Sequence, residues 1–279
     1  MSISFHENLD YSETSISYDD VSSVSSATVS AGAAAKDYAP KPDEIHLFAE
    51  KFRVPVLSKH ITRPRLNELL TKFSAQIGAT MVTGRAGTGK TTLAADFAQN
   101  YESVAWYRVE SADIGWNVFA RYFAESFNQT NLKAENLTEN PSEVEVAPFL
   151  ENLFGRLAAC DIKKPVLIVL DDVHYIFDAP WFNEFFSSLL YLLNENTHLV
   201  LLARSSPAFP LWRLRSKQVL GVLSEELLLF NDEEAKKFLS AYLLDNKTKR
   251  EIFEKSFGRI GKLKSLAEAA LEKRVKWSD

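Results

Sequence analysis

Three of the chain's 10 glycines fall within six positions, inside Thr80–Ala98, TMVTGRAGTGKTTLAADFA. Gly84, Arg85, Ala86, Gly87, Thr88, Gly89, Lys90 and Thr91 satisfy G-x-x-x-x-G-K-[ST] at every fixed position. A short apolar run leads in and a helix-like run leads out. That context restricts the fold sharply. Glycines let the backbone turn its amides inward around a polyphosphate, and the helix that follows adds the partial positive charge of its N-terminus. In this Walker A pattern Lys90 reaches the β- and γ-phosphates, Thr91 ligates Mg²⁺ and Thr92 hydrogen-bonds the α-phosphate. The loop demands a strand before it and a helix after it, and so an α/β chain.

The rest of the chain follows that lead. The patterns predict strands over 79–84, 103–109, 165–173, 198–205 and 217–223. Helices are predicted from Pro64, over 89–98, 116–127, 149–160 and 181–193. Alternation of this kind predicts a parallel sheet covered on both faces, a three-layer α/β/α arrangement of the P-loop NTPase type. PVLIVLDDV reads as a strand buried on both faces. Asn128–Pro148 is polar and reads as a loop insertion. From Asn231 the pattern turns wholly helical, with Asn231 or Asp232 as a cap. From Lys247 onward ten Lys and Arg face five Asp and Glu. This region is expected to form a small helical lid or the start of a further all-α region.

Composition narrows the function classes. Apolar residues are 46% of 279, with 19 Phe, so a substantial core is expected. A net charge of −5 argues against bulk binding to nucleic acid. Cys160 is the one cysteine, which excludes an intramolecular disulfide and a cysteine-rich zinc site. No apolar run approaches the ~18 residues of a membrane span. Ten of the first 30 residues are Ser, and five acidic residues precede the first Lys at 36, the opposite of a targeting signal. Residues 1–44 are expected to be a disordered tail. The expected division is therefore the tail, a phosphate-binding domain with an N-terminal arm over 45–230, and a lid over 231–279.

A phosphate loop needs a metal holder. Asp171 and Asp172 close the run VLIVLDD about 80 residues later, at the strand end where ligands bind in such sheets. Asp171 suits the Mg²⁺ shell, and Asp172 suits positioning or deprotonation of an attacking water. His174 stands as either a polar reader of the site or a neutral structural histidine. Arg204 ends the next strand, as either a γ-phosphate sensor or a surface arginine at a strand end.

The region from about Lys51 to Phe230 resembles the nucleotide-binding domain of MalT-like, LuxR-family regulators of the STAND class of P-loop NTPases. The resemblance is carried by the arm KFRVPVLSKHITRPRL, the loop GRAGTGKTTLAADFA, the Walker B strand LIVLDDVHYI and the segment ARSSPAFPLWRLR. It implies that Arg63 and its neighbours lie near the base or phosphates of ATP or ADP, and that Arg204 is the sensor arginine. SFGRIGKLKSLAEAAL resembles the family's lid motif, with Ile260 where a proline usually touches adenine. The resemblance also implies a cytoplasmic, slowly hydrolysing switch in signalling or transcription control. That switch self-associates on ATP binding and passes its signal to an output domain or partner. No DNA-binding motif is evident in the chain itself. An ATPase acting on nucleic acid and a non-hydrolysing nucleotide scaffold remain as alternatives.

Overall fold

The computed structural model describes residues 47–57, 60–130, 145–160, 164–208 and 210–275. The expected tail over 1–44 and most of the expected loop insertion lie outside them.

Five parallel strands form one sheet: β1 (Ala79–Thr83), β2 (Ser103–Arg108), β3 (Val166–Asp171), β4 (Thr197–Ala203) and β5 (Gly221–Leu223). Their order is β2-β3-β4-β1-β5. Strand side chains alternate between two faces, and the core divides accordingly. Met81, Tyr107, Ile168, Leu170, Leu199 and Leu201 join one cluster. It is covered by α3 (Trp116–Asn128), α4 (Val146–Ala159) and α5 (Phe182–Leu192). Val82, Trp106, Leu167, Val169, Val200 and Leu202 join the other. That face packs on α1 (Pro64–Gln76) and α2 (Lys90–Ala98). The result is a three-layer α/β/α fold. Phenylalanine is concentrated on the first face, where Phe119 meets Trp181 at 4.7 Å and Phe185 at 4.9 Å between ring centroids.

The departures from expectation have local causes. β3 stops at Asp171 because Asp172 turns into the left-handed region (φ 57, ψ 32). Helix α4 begins earlier than expected, at Val146, and Pro148 is accommodated in its first turn, where amides have no helical acceptor anyway. The run expected as a strand over 217–223 pairs only at Gly221–Leu223. Before it the chain forms a short helix, α6 (Leu211–Ser216), which the periodicity did not signal.

After α7 (Glu225–Leu228) come α8 (Asp232–Ser240), α9 (Asn246–Ser256) and α10 (Ile260–Val275). Asn231 caps α8, accepting from the Glu234 amide at 2.8 Å while Glu234 accepts from the Asn231 amide at 3.1 Å. Phe230, Ala235, Leu239, Ile252, Leu263 and Ala267 form the lid's own small core. Gly258 (φ +72) lets its carbonyl accept from the Phe230 amide at 2.7 Å. A Cβ there would come within 2.7 Å of the Phe230 carbonyl oxygen.

The residues just before α1 are fastened to the start of α8. Arg63, a buried residue just before α1, donates to the Leu228 carbonyl (2.9 Å), the Leu229 carbonyl (3.1 Å) and Glu234 (3.0 Å). Its guanidinium also lies 4.5 Å over the Phe230 ring. Arg65 joins the same carboxylate and two neighbouring carbonyls. Removing one partner of a buried ion pair strands the other. Glu234→Ala is therefore expected to destabilise the protein by roughly 3 kcal/mol. In melting temperature this is about 6–12 °C, measurable by calorimetry; a drop under about 2 °C would show that the pair contributes little.

Candidate functional site

The loop between β1 and α2 needs glycine where the structure uses it. Gly87 (φ +76) and Gly89 (φ +89) take left-handed conformations that side chains disfavour. The loop is drawn tight by Thr88, whose hydroxyl donates to the Arg85 carbonyl at 2.9 Å. Gly84 donates its amide to Ala203 at 3.1 Å, tying the loop to the end of β4. Lys90, the first residue of α2, is only 6% exposed. Its ammonium donates to the Gly84 carbonyl (2.5 Å) and the Arg85 carbonyl (3.0 Å). Burial lowers its pKa, and Asp172 and Asp171 oppose that shift.

Strand order assembles the remainder. β4 lies between β1 and β3, with Thr83 opposite Ala203 and Leu201 opposite Leu170. The loop, Arg204 and the two aspartates thus sit side by side along the C-terminal edge of three neighbouring strands. Asp171 is 3% exposed. The Thr91 hydroxyl donates to its two oxygens at 3.2 and 3.1 Å. Burial, and then the neighbouring Asp172, raise its pKa to about 6. Asp172 accepts from Arg204 Nε at 3.3 Å, and His174 Nδ1 lies 3.7 Å from the same oxygen. Burial keeps the His174 pKa below its ordinary value.

The start of α10 lies against this loop. The Gly261 amide donates to the Gly87 carbonyl at 2.9 Å. A Cβ on Gly89 would sit 3.4 Å from Ile260 Cγ2. Ile260, at the lid-motif position discussed above, packs on the loop from the first turn of α10. Glu225 ties both sides together, accepting from the Arg85 amide at 2.9 Å while pairing with Arg85 and Arg259 at 3.2 Å each.

Beside the loop a cleft of about 290 Å³ is lined by His60, Arg63, Thr92, Asp96, Phe230 and Ile260, among others. Thr92 is exposed there, and Arg85 and Ala86 are exposed on the loop's outer turn. Arg63 reaches the cleft wall, but its guanidinium is committed to Glu234 and the Leu228 and Leu229 carbonyls, so it offers a fixed edge rather than a free cation. Sequence reasoning passed over Asp96, which accepts from Asn67 at 2.8 Å and contacts His60 Nε2 at 2.9 Å. A carboxylate inside the apolar run LAADFA was the available signal. It also passed over Glu225, whose surroundings in the sequence carry no mark of a site.

The residues present fit a magnesium polyphosphate. The loop is a backbone cradle where two positions tolerate no Cβ conformation easily. A hydroxyl and a buried carboxylate side by side are hard oxygen ligands. A carboxylate disfavoured as an anion by burial and by Asp172 is relieved by a cation. Among the described residues no group of three or more His, Cys, Asp or Glu could hold a metal by itself. Mg²⁺ does not require one, since it keeps waters and takes one or two carboxylates plus substrate phosphates.

A family model described as an AAA domain matches residues 75–205. The HTH-type transcriptional regulator MalT of Vibrio parahaemolyticus is 27% identical over 195 residues, covering 68% of this chain and 21% of that protein. The regulator of the same name from Serratia proteamaculans is 29% identical over 203 residues, covering 71% and 22%. The chain thus spans about a fifth of the length of these curated relatives. The Walker-type ATPase of Pyrococcus abyssi shares the fold at a TM-score of 0.53 and 12% identity, covering 72% of this chain and 65% of that one.

The Asp171 pKa sets a pH dependence. The folded carboxyl titrates at about 6 against 3.8 for an unperturbed one, so between those values the folded state binds the extra proton. Stability of the metal-free protein should then fall as pH rises through that interval. Asp171→Asn cannot ionise and should remove this component of the slope. Above about pH 7 the variant should be more stable than the parent, by roughly 3 kcal/mol. Melting curves without metal from acid to neutral pH check this; a variant that melts no higher at neutral pH would refute it.

Proposed function

Starting from a P-loop NTPase domain similar to that of MalT-type regulators, we propose that this chain is a nucleotide switch. It binds ATP and ADP with Mg²⁺, hydrolyses ATP slowly and serves signalling or transcription control. The observation that carries this reading is the convergence of Lys90, Thr91, Arg204, Asp171 and Asp172 on one edge of three adjacent strands, with the lid seated on the loop.

Each residue has a task that follows from its chemistry. Lys90 is held by two carbonyls it can exchange for phosphate oxygens. Thr91 and Asp171 would hold Mg²⁺, which when bound supplies charge neutralisation at the phosphates. Asp172 orients a water or accepts its proton. Arg204 meets charge that develops on the γ-phosphate. Two features suit slow turnover. Arg204 is engaged by Asp172, so the water-positioning carboxylate and the sensor occupy each other. The lid touches the loop directly through Gly261 and Ile260, so occupancy of the loop bears on lid position. A state that must persist to be read favours slow hydrolysis.

Self-association with ATP, an output passed to another domain or partner, and action in the cytoplasm belong to the same reading. No described helix is long and apolar enough to cross a membrane. A rival reading, an ATPase acting on nucleic acid, draws on α6, where Trp212, Arg213 and Arg215 are exposed.

MgATP or MgADP at about 100 times Kd should stabilise the protein by about 2.7 kcal/mol. This corresponds to roughly 5–10 °C in melting temperature. Lys90→Ala should abolish the shift. A parent protein that shifts with neither nucleotide would sink the reading. Single-turnover hydrolysis should fall well below the ~1–100 s⁻¹ of kinases. A fast rate stimulated by DNA would favour the rival.

A further inference from the structure

Two side chains, Arg204 and His174, compete for one Asp172 oxygen at the end of β3, and neither is in an optimal bond. Arg204 Nε reaches Asp172 Oδ1 at 3.3 Å, long for a charge-assisted bond, which settles at about 2.7–2.9 Å. His174 Nδ1 faces the same oxygen at 3.7 Å, too far to bond. That nitrogen is buried and has no hydrogen-bond partner. A buried polar atom left unsatisfied is costly and calls for an explanation.

His174 is otherwise well held. It lies in the tight turn Val173–Ile176, its side chain is 14% exposed, and its ring stacks on Tyr175 with centroids 4.4 Å apart. Burial disfavours the charged imidazolium. Arg204 differs, with a side chain 45% exposed and room to move. Asp172 itself sits in the left-handed region, a conformation uncommon for a residue with a side chain and frequent at switch sites.

We propose that Arg204, Asp172 and His174 form an exchange relay that reads the terminal phosphate of a nucleoside triphosphate. Without a γ-phosphate Arg204 rests on Asp172. With one, Arg204 turns to the phosphate oxygens and the His174 Nδ1–H takes over the vacated Asp172 oxygen. His174 is a positioning residue: it keeps the carboxylate aimed after the arginine leaves and thereby lowers the cost of releasing it. A nucleoside diphosphate offers Arg204 no γ-phosphate, so the exchange favours the triphosphate alone. The inference rests on the nucleotide-switch reading above and adds to it a basis for telling ATP from ADP.

The test is the ratio of affinities for a non-hydrolysable ATP analogue and for ADP, both with Mg²⁺, by calorimetric titration. Two variants separate positioning from mere packing. His174→Asn places an amide N–H where Nδ1 lies, and His174→Gln places it where Nε2 lies. His174→Gln should lower the triphosphate preference by about tenfold, the worth of one hydrogen bond to a charged group. His174→Asn should restore most of it. Arg204→Ala should set the floor. ADP affinity and melting temperature report whether each variant is folded. Equal preferences for the Asn and Gln variants, whether both lowered or both like the parent, would overturn the relay while leaving nucleotide binding intact. A parent that binds neither nucleotide would overturn the relay and the switch reading together.

Discussion

A buried ammonium must be surrounded by acceptors or by negative charge, and the Lys90 side chain has both. Gly84 and Arg85 turn their carbonyls onto it, which they can do only because the loop curls through glycines at positive φ. Asp171 and Asp172 oppose the penalty of its burial. The curl brings the loop's outer turn under α10, where Gly87 accepts from Gly261. One charge held out of water therefore ties together the loop, the acidic strand end and the lid.

The C-terminal helices are held by electrostatics at two levels of burial. At its root, Glu234 gathers Arg63 and Arg65 from the arm, and both partners of the Arg63–Glu234 pair are nearly dry. Such a pair is costly to break and fixes where α8 begins. Nearer solvent, Glu225 joins Arg85 of the loop to Arg259 at the foot of α10. These arginines are substantially exposed, so each contact is weak and screened by salt.

The glycine loop, the two aspartates and the alternation of strands and helices were legible because each depends on neighbouring residues. Glycine spacing sets local dihedrals. The unbroken apolar run VLIVL announces a strand buried on both faces. The break at Asn231 announces the all-helical C-terminal segment, and the cap there is a matter of three residues. Other features were less legible because tertiary contact decides them. Gly221–Leu223 is a strand only where it pairs with β1, and the six residues of α6 rest only Leu211 and Leu214 on the core, too short a run for periodicity to report. Arg63 has an arginine's sequence signature whether it meets a phosphate or a carboxylate; the fold places it on Glu234.

The sequence by itself determined which chemistry the chain carries: a lysine and a threonine at a glycine loop, a pair of carboxylates at a strand end, an arginine at the next. The tertiary structure decided how these groups face one another. It inserted β4 between β1 and β3, set Thr91 on Asp171 across 80 residues, and Arg204 on Asp172 across 32. It joined Arg85 to Glu225 across 140 and Arg63 to Glu234 across 171. The physical reason is range. Dihedral preferences and hydropathy periods act over a few residues and are written in the chain. The pairing of charges depends on strand order and helix packing, which are settled only when the whole core closes.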